Sequence, residues 1–345
     1  MIQEYVKEQA LLHPAMQAQD ALKLCYQAAF GAEHLLLDEE TARLHFMKEF
    51  DMVPSREGLL WEAISPEVCR VNLGAWKACG LPAQWLFRLF VLTSPLPNQG
   101  AFSRYLEQTG DLALSGRLPF SAAAWQALLS SYPLQSPVAV HHSVAYRQQE
   151  QPSYRLVSSQ LMRMLPILKA ISALPPVERA YVMALDGRAA SGKSTLAVQL
   201  SQVIQAGVVH MDDFFLPPLL RTPERLAQPG GNIHYERFQA QVLPHLKEQL
   251  RFVYQRFDCG SMALGPWRTV PPTKWHIVEG CYCCHPLFGN YMDLRFFCDV
   301  SPQEQRKRIV ARDGARADAF FQRWIPMEEA YFSAFHIPEQ ADFLL

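Results

Sequence analysis

The spacing of hydrophobic positions divides the chain into two regions that differ in their hydrophobic periodicity. Over residues 1–169, apolar side chains recur mostly at helical intervals, and strand signals are few. From Tyr181 onward, short apolar runs typical of buried strands alternate with helical stretches. This alternation predicts an α/β domain with a parallel sheet flanked by helices, preceded by a mostly helical N-terminal domain.

The same patterns predict individual elements. In the first region they predict buried helices over 21–26 and 85–90 and a third over 154–169, kinked at Pro166. Prolines at 54, 95, 97 and 133 separate the helical stretches. In the second region they predict strands over 181–185, 208–211, 276–278 and 294–300, and helices over 194–205, 235–250 and 302–313.

Two domains follow from this organisation. A chain of 345 residues is long for one domain and comfortable for two. We expect a mostly α-helical domain of unknown role over 1–170, a proline-bearing linker over 171–180 and an α/β domain over 181–345.

Composition narrows the class of protein. Hydrophobic residues make up 49% of the chain and charged residues 19%, as in a soluble globular protein with an ample core. The net charge of −1 gives no basic field for nucleic acid, and the apolar stretch 85–92 is too short for a membrane span. The N-terminus lacks the pattern of a secretory signal, which favours the cytoplasm and makes the eight cysteines free thiols.

One glycine-rich stretch points to chemistry. Residues 187–194 fit the P-loop pattern G-x-x-x-x-G-K-[ST] and lie between a predicted strand and a predicted helix. We therefore expect the α/β domain to be of the P-loop NTPase type. In such a P-loop, backbone N–H groups wrap the phosphates of a nucleotide, the lysine reaches the β- and γ-phosphates, and the hydroxyl ligates Mg²⁺. The expected nucleotide-binding residues are Gly187, Arg188, Ala189, Ala190, Ser191, Gly192, Lys193, Ser194 and Thr195.

Acidic residues follow the next two predicted strands. Asp212 and Asp213 come after the strand over 208–211, and Glu279 ends the apolar run over 276–278. Ligands of parallel sheets lie at the carboxyl ends of the strands, so these groups should converge with the P-loop. We expect Asp212 to act as the base that accepts a hydroxyl proton, and Glu279 to hold Mg²⁺ together with Ser194.

Arginines crowd a helical segment near the C-terminus. Cations are needed to offset the charge on a transferred phosphoryl group, so this segment is a candidate lid over the nucleotide. A solvated basic face is the alternative explanation of each side chain. We expect Arg312 to make the catalytic contact, among Arg306, Arg308, Arg312, Arg316 and Arg323.

These motifs together resemble a known group of kinases. The stretches 186–195, 211–215, 278–280 and 308–313 are similar in order and spacing to the P-loop, base motif, acidic motif and lid of uridine kinases, phosphoribulokinases and pantothenate kinases. The resemblance covers roughly residues 181–345. It implies an ATP- and Mg²⁺-dependent phosphotransferase that moves the γ-phosphate to a hydroxyl of a small molecule, with a nucleoside or related riboside as the leading acceptor.

The acceptor site departs from uridine kinases. Residues 254–258 only partly match the tyrosine and histidine region that grips the pyrimidine, and 260–268 contain no evident histidine–arginine element. A polar insertion over 230–237 stands where an acceptor would bind, although a glycine turn leading into a helix would look the same. The candidate acceptor contacts are Asp213, Asn232, His234, Tyr235 and Arg237.

Other features leave alternatives open. The cluster Cys281-Tyr282-Cys283-Cys284-His285 could suggest metal, but no separated second ligand pair accompanies it, so small-residue packing is favoured. In the first region, His34 and the pair at 141–142 are isolated, and the region would suit an acceptor-covering cap, a homo-oligomer interface or a partner-binding module. A regulatory NTPase switch acting on the helical domain and a nucleotide-binding scaffold without chemistry remain competing functions.

Overall fold

The computed structural model describes residues 2–31, 38–93 and 99–345; His34 and the predicted break at prolines 95 and 97 lie outside these ranges. The chain forms two compact units, Met1–Leu174 and Pro175–Leu345, called here the N-terminal unit and the C-terminal unit. No helix of the described residues is long and apolar enough to cross a membrane.

The N-terminal unit is mostly helical and contains a small antiparallel sheet. The sheet has the order β1-β2-β3 and was not predicted. Its helices are α1 (Ile2–Leu12), α2 (Ala18–Phe30), α3 (Glu39–Met52), α4 (Leu73–Ala78), α5 (Ala83–Leu92), α6 (Gln99–Leu114), α7 (Ala122–Ser131), α8 (Val144–Gln149) and α9 (Leu165–Ser172), and its strands are β1 (Trp61–Ala63), β2 (Val68–Asn72) and β3 (Tyr154–Ser158).

The predicted helix over 154–169 is wrong. Its first part is β3, which pairs antiparallel with β2 and is rich in the aromatic and β-branched residues that favour strands. A short 3₁₀ turn at Leu161–Met164 leads into α9. Pro166 lies in the first turn of α9, where its missing N–H has no partner to lose, so it begins a helix and does not kink one.

The C-terminal unit is an α/β layer structure, and the predicted fold class is confirmed. A five-stranded parallel sheet has the order β10-β9-β4-β8-β5, with helices packed against it. Its strands are β4 (Tyr181–Gly187), β5 (Gly207–His210), β8 (Trp275–Glu279), β9 (Leu294–Cys298) and β10 (Phe343–Leu344). Between β5 and β8 the chain forms a separate hairpin of β6 (Phe252–Asp258) and β7 (Ala263–Val270). Its helices are α10 (Lys193–Ile204), α11 (Pro223–Leu226), α12 (Tyr235–Gln241), α13 (Pro302–Asp313), α14 (Ala317–Ala319) and α15 (Ile325–Phe335).

The register of the sheet brings three strand ends to one edge. Leu185 of β4 and His210 of β5 both pair with Glu279 of β8, so the segments that follow these strands start side by side. Every residue of β4 is buried, as expected of a central parallel strand covered on both faces.

Two elements of this unit differ from the prediction. The helix predicted over 235–250 ends at Gln241 and continues as a 3₁₀ turn at Leu243–His245, because Pro244 cannot supply a helical N–H. The β6–β7 hairpin was missed, since β7 is largely exposed and contains Pro266, which reads as a loop in the sequence.

Candidate functional site

The loop after β4 has the backbone conformation of an anion cradle. Gly187 has a φ of +136°, and a Cβ there would overlap the carbonyl oxygen of Cys298 on the neighbouring strand. Gly192 has a φ of +102° and open space where a Cβ would lie, so a ligand can approach the backbone closely. The loop ends at the N-terminus of α10, whose free N–H groups and positive dipole end attract anions.

Lys193, the first residue of α10, folds back over this loop. Its ammonium donates to the carbonyl oxygens of Gly187 and Arg188, both at 2.8 Å. An ammonium has three N–H donors, so one remains for a phosphate oxygen. The lysine therefore shapes the cradle and supplies it with a positive charge.

Glu279 links the loop to the neighbouring strand. Its Oε2 accepts from the Ser194 hydroxyl at 3.1 Å, and its Oε1 lies 2.5 Å from Nδ1 of His210. The hydrogen bond to Glu279 raises the pKa of His210, against the effect of burial. A hydroxyl beside a carboxylate is the oxygen-donor pair that Mg²⁺ prefers, so Ser194 and Glu279 fit the expected metal position. His210 was not predicted; its place at the end of β5 was the one signal for it.

Asp212 lies in the same crevice, and its carboxylate has no hydrogen-bond partner among the described residues. Its side chain is exposed by area. Protein crowding around the carboxylate raises its pKa, and the negative charge of Glu279 adds to that effect, while Lys193 opposes it. A carboxylate with a raised pKa and free oxygens has the properties of a general base.

Asp213 differs from its neighbour because it is buried and engaged. Its Oδ2 accepts from the hydroxyl of Tyr254 at 2.9 Å and pairs with Nε of Arg268 at 2.7 Å. Both partners come from the hairpin. Arg256, also on the hairpin, lies 4.0 Å from Oδ1. Asp213 therefore fastens the hairpin beside the crevice. Sequence reasoning missed Arg268, whose side chain is 41% exposed.

Of the other predicted acceptor residues, His234, Tyr235 and Arg237 make contacts with the protein itself, whereas both amide atoms of the Asn232 side chain are buried without a hydrogen-bond partner among the described residues. Asn232 is 5% exposed and His234 caps α12, accepting from the backbone N–H of Arg237. Tyr235 is buried against His285 and lies under Arg225. Arg237 donates to the backbone oxygens of Asp213 and Gln255, and burial lowers its pKa to about 10. These contacts are those expected if residues 230–237 form a glycine turn that leads into a helix, the alternative to an acceptor site.

The P-loop is held from outside by the last third of the chain. Glu329 of α15 binds the guanidinium of Arg188, and Glu328 accepts from the backbone N–H of Ala189 at 2.9 Å. Arg308 of α13 donates to the carbonyl oxygen of Ala190 at 3.1 Å. These partners are more than 110 positions away along the chain, so no local pattern could indicate them.

Arg312, the arginine predicted to make the catalytic contact, has its described partners outside the P-loop. Its guanidinium pairs with Asp313 at 2.8 Å and stacks over Phe320, so it is engaged within its own segment. Among the arginines of the predicted lid, the described contact with the P-loop is made by Arg308, one helical turn before Arg312.

Asp186 and the cysteine cluster form the floor of the loop. Asp186 is fully buried and accepts from the backbone N–H groups of Gly187 and Cys284 and from the hydroxyl of Tyr331. Asp186, Cys283 and Cys284 offer atoms within 4.8 Å of one another. However, the carboxylate is occupied by N–H and O–H donors, and burial raises the pKa of the Cys283 thiol, so packing and not metal binding accounts for the cluster.

Comparisons with known proteins describe the fold only. No protein-family model matches the chain, and no curated protein matches it. The structure of a possible uridine kinase from Bacillus stearothermophilus is similar at 21% identity and a TM-score of 0.43, covering 54% of this chain and 99% of that one. A proposed fructose transport system kinase from Silicibacter sp. TM1040 is similar at 24% identity and a TM-score of 0.45, covering 54% and 98%.

Proposed function

We propose that the C-terminal unit is an ATP-dependent phosphotransferase that moves the γ-phosphate of ATP to a hydroxyl of a small molecule. The observation that carries the proposal is the meeting of Lys193, the Ser194–Glu279 pair and the uncommitted Asp212 at one edge of the sheet. A pure nucleotide switch needs the first two features. It does not need a second carboxylate with free oxygens beside them.

The chemistry divides among these residues. The backbone N–H groups of the loop and the remaining N–H of Lys193 bind the phosphates and offset their charge. Ser194 and Glu279 would hold Mg²⁺, which neutralises charge on the β- and γ-phosphates when bound. Asp212 takes the proton of the attacking hydroxyl, so the oxygen becomes a better nucleophile as it approaches the γ-phosphorus.

The acceptor is proposed to lie between Asp212 and the hairpin. Tyr254 and Arg268 stand at this side of the crevice, tied to Asp213. A nucleoside or related riboside is the first acceptor class to test, because a ribose offers a primary hydroxyl and a base can pack beside the hairpin. Sugars and hydroxy acids form the comparison set, since Arg268 could also pair with an anionic group.

The test is acceptor-stimulated release of ADP. The full-length protein with ATP and Mg²⁺ is assayed against nucleosides, ribosides, sugars and hydroxy acids, and the phosphorylated product is identified by mass spectrometry. Turnover that depends on one acceptor class, and a product heavier by one phosphoryl group, supports the proposal. Intact ATP binding without stimulation by any acceptor would overturn it in favour of a nucleotide switch.

A variant of the loop lysine tests whether the turnover belongs to this site. Lys193→Met removes the charge on the phosphates and should abolish both ATP binding and turnover. If turnover survived in this variant, the activity would belong to another site or to a contaminant.

A further inference from the structure

A polar cavity in the N-terminal unit has the size and the charged lining of a binding site. It has a volume of about 290 Å³ and lies between the start of the chain, β2 and the segment before β3. Ligand pockets of proteins typically begin near 300 Å³, so this one suits a small molecule. The charged and hydroxyl-bearing residues that line it and carry the argument are His13, Glu62, Arg70, Tyr146, Glu150 and Tyr154.

One pole of the cavity is the buried cation Arg70. Arg70 is 2% exposed, and its guanidinium donates only to the neutral side-chain oxygens of Gln9 and Gln27, at 2.8–3.1 Å. It also lies over the ring of Tyr154 at 4.8 Å. No carboxylate of the described residues is within ion-pair distance of Arg70. Burying an arginine in this way is costly unless a partner compensates its charge.

The guanidinium keeps capacity for such a partner. Of its five N–H groups, three are used by Gln9 and Gln27. The remaining N–H groups suit a carboxylate, which guanidinium binds with matched planar geometry.

The other pole is negative. The imidazole of His13 lies between two carboxylates, 2.9 Å from Oε2 of Glu62 and 3.1 Å from Oε2 of Glu150. Burial opposes a charge on His13, but the hydrogen bonds that its imidazole donates to the two carboxylates outweigh this effect and raise the pKa of His13. One cation between two anions leaves a net negative charge at this pole.

Glu62 and Arg70 therefore both line the cavity, carry opposite charges and lie beyond ion-pair distance of each other. We propose that this cavity binds a free α-amino acid, whose carboxylate pairs with Arg70 and whose ammonium pairs with Glu62 and Glu150. A zwitterion compensates both poles at once. A dianion such as a phosphate ester would meet the two carboxylates, and a neutral sugar would leave the charge of Arg70 without an anion.

The proposal is tested by calorimetric titration of the full-length protein with each standard amino acid. For any amino acid that binds, two matched analogues follow: its carboxamide, which lacks the anionic end, and its deamino acid, which lacks the cationic end. Each analogue should bind about tenfold more weakly or worse, because each leaves one charged group of the cavity unpaired. Neutral sugars and phosphate monoesters complete the panel.

Variants locate the site. Glu62→Gln keeps the shape of the side chain and should weaken binding about tenfold, with the loss confined to ligands that carry an ammonium. Glu49→Gln is the matched control, since Glu49 pairs with Arg155 and does not line the cavity. Arg70→Lys tests the other pole, and circular dichroism with ATP affinity checks that each variant folds.

Several outcomes would overturn the proposal. They are failure of every standard amino acid to bind at millimolar concentration, equal affinity for the analogues, preference for sugars or phosphate esters, and binding unchanged by Glu62→Gln. If Arg70→Lys fails to fold, the analogue series and Glu62→Gln decide alone.

Discussion

The hydroxyl of Ser194 donates to Oε2 of Glu279 over 3.1 Å, although the two residues stand 85 positions apart in the chain. The parallel register of β4 and β8 creates this contact, because it aligns Leu185 with Glu279 and so sets the P-loop beside the end of β8.

This relationship predicts how the protein depends on magnesium. Glu279→Gln can still accept from Ser194 but loses the charge that would hold the ion through water. We expect the Mg²⁺ concentration for half-maximal turnover to rise about 10- to 100-fold, as for other groups that act through a metal's bound waters. Titration of turnover with Mg²⁺ at saturating ATP measures it. Glu248→Gln, on an exposed carboxylate that pairs with His245, is the control, and an equal response in both variants would contradict the assignment.

Asp212→Asn tests the base. The amide cannot accept the hydroxyl proton, so kcat should fall on the order of 10²- to 10⁴-fold while ATP affinity is kept. Quench-flow or steady-state assays give kcat, and calorimetry gives ATP affinity. Full activity in this variant would remove Asp212 from the mechanism and leave the nucleotide site in place.

The wild-type protein should also show an acidic limb in its pH profile. Activity requires ionised Asp212, so kcat/KM should fall as pH decreases through the pKa of this group. Crowding and Glu279 raise that pKa above its ordinary value of 3.8, which places the limb above pH 3.8. A pH series of kcat/KM measures the limb, and the residual activity of Asp212→Asn should lack it.

Arg308 and Arg312 provide a matched pair for the lid segment. Arg308 contacts the P-loop carbonyl of Ala190, whereas Arg312 pairs with Asp313. Arg308→Gln should weaken ATP binding about 2- to 5-fold, the size expected for one exposed charged contact, and Arg312→Gln should leave it unchanged. Calorimetric titration with ATP compares them. The reverse ranking would restore the sequence-based assignment of Arg312.

Glu328 predicts a pH effect on stability. Burial raises its pKa from 4.5 to about 7, so the folded state favours the protonated carboxyl. The free energy of unfolding should therefore decrease as pH rises from about 4.5 to about 7. Glu328→Gln removes this cost and should stabilise the protein by on the order of 2 kcal/mol at about pH 8, with little change near pH 4.

Denaturant unfolding of both proteins across this pH range measures the difference. Glu329→Gln is the control, because Glu329 is half-exposed and pairs with Arg188. A stabilisation of Glu328→Gln that stays constant with pH would show that the titration of Glu328 is not its cause.

Sequence patterns succeeded where the signal is local. The strands β4, β8 and β9 and the helix α13 appear as predicted, because buried parallel strands are continuous apolar runs and α13 opens with Ser301 and Pro302, an N-cap followed by a first-turn proline. They failed for β3, whose five residues fit a helix or a strand until β2 pairs with them. In the β6–β7 hairpin, β7 is mostly exposed and shows no apolar alternation, so the pairing of the two strands was not detected.

The sequence was enough to identify the glycine-rich loop before Lys193, because its pattern consists of adjacent residues and positive φ angles occur at Gly187 and Gly192. It also placed acidic residues at the strand ends, through the rule that parallel strands share a carboxyl edge. Which carboxylate is free depends on the packed fold, since Asp213 is occupied by the distant Tyr254 and Arg268 while Asp212 has no hydrogen-bond partner among the described residues. The same holds for Arg308 on the loop and for Arg70 and Glu62 in the N-terminal cavity. Such contacts depend on chain segments that only the packed fold brings together.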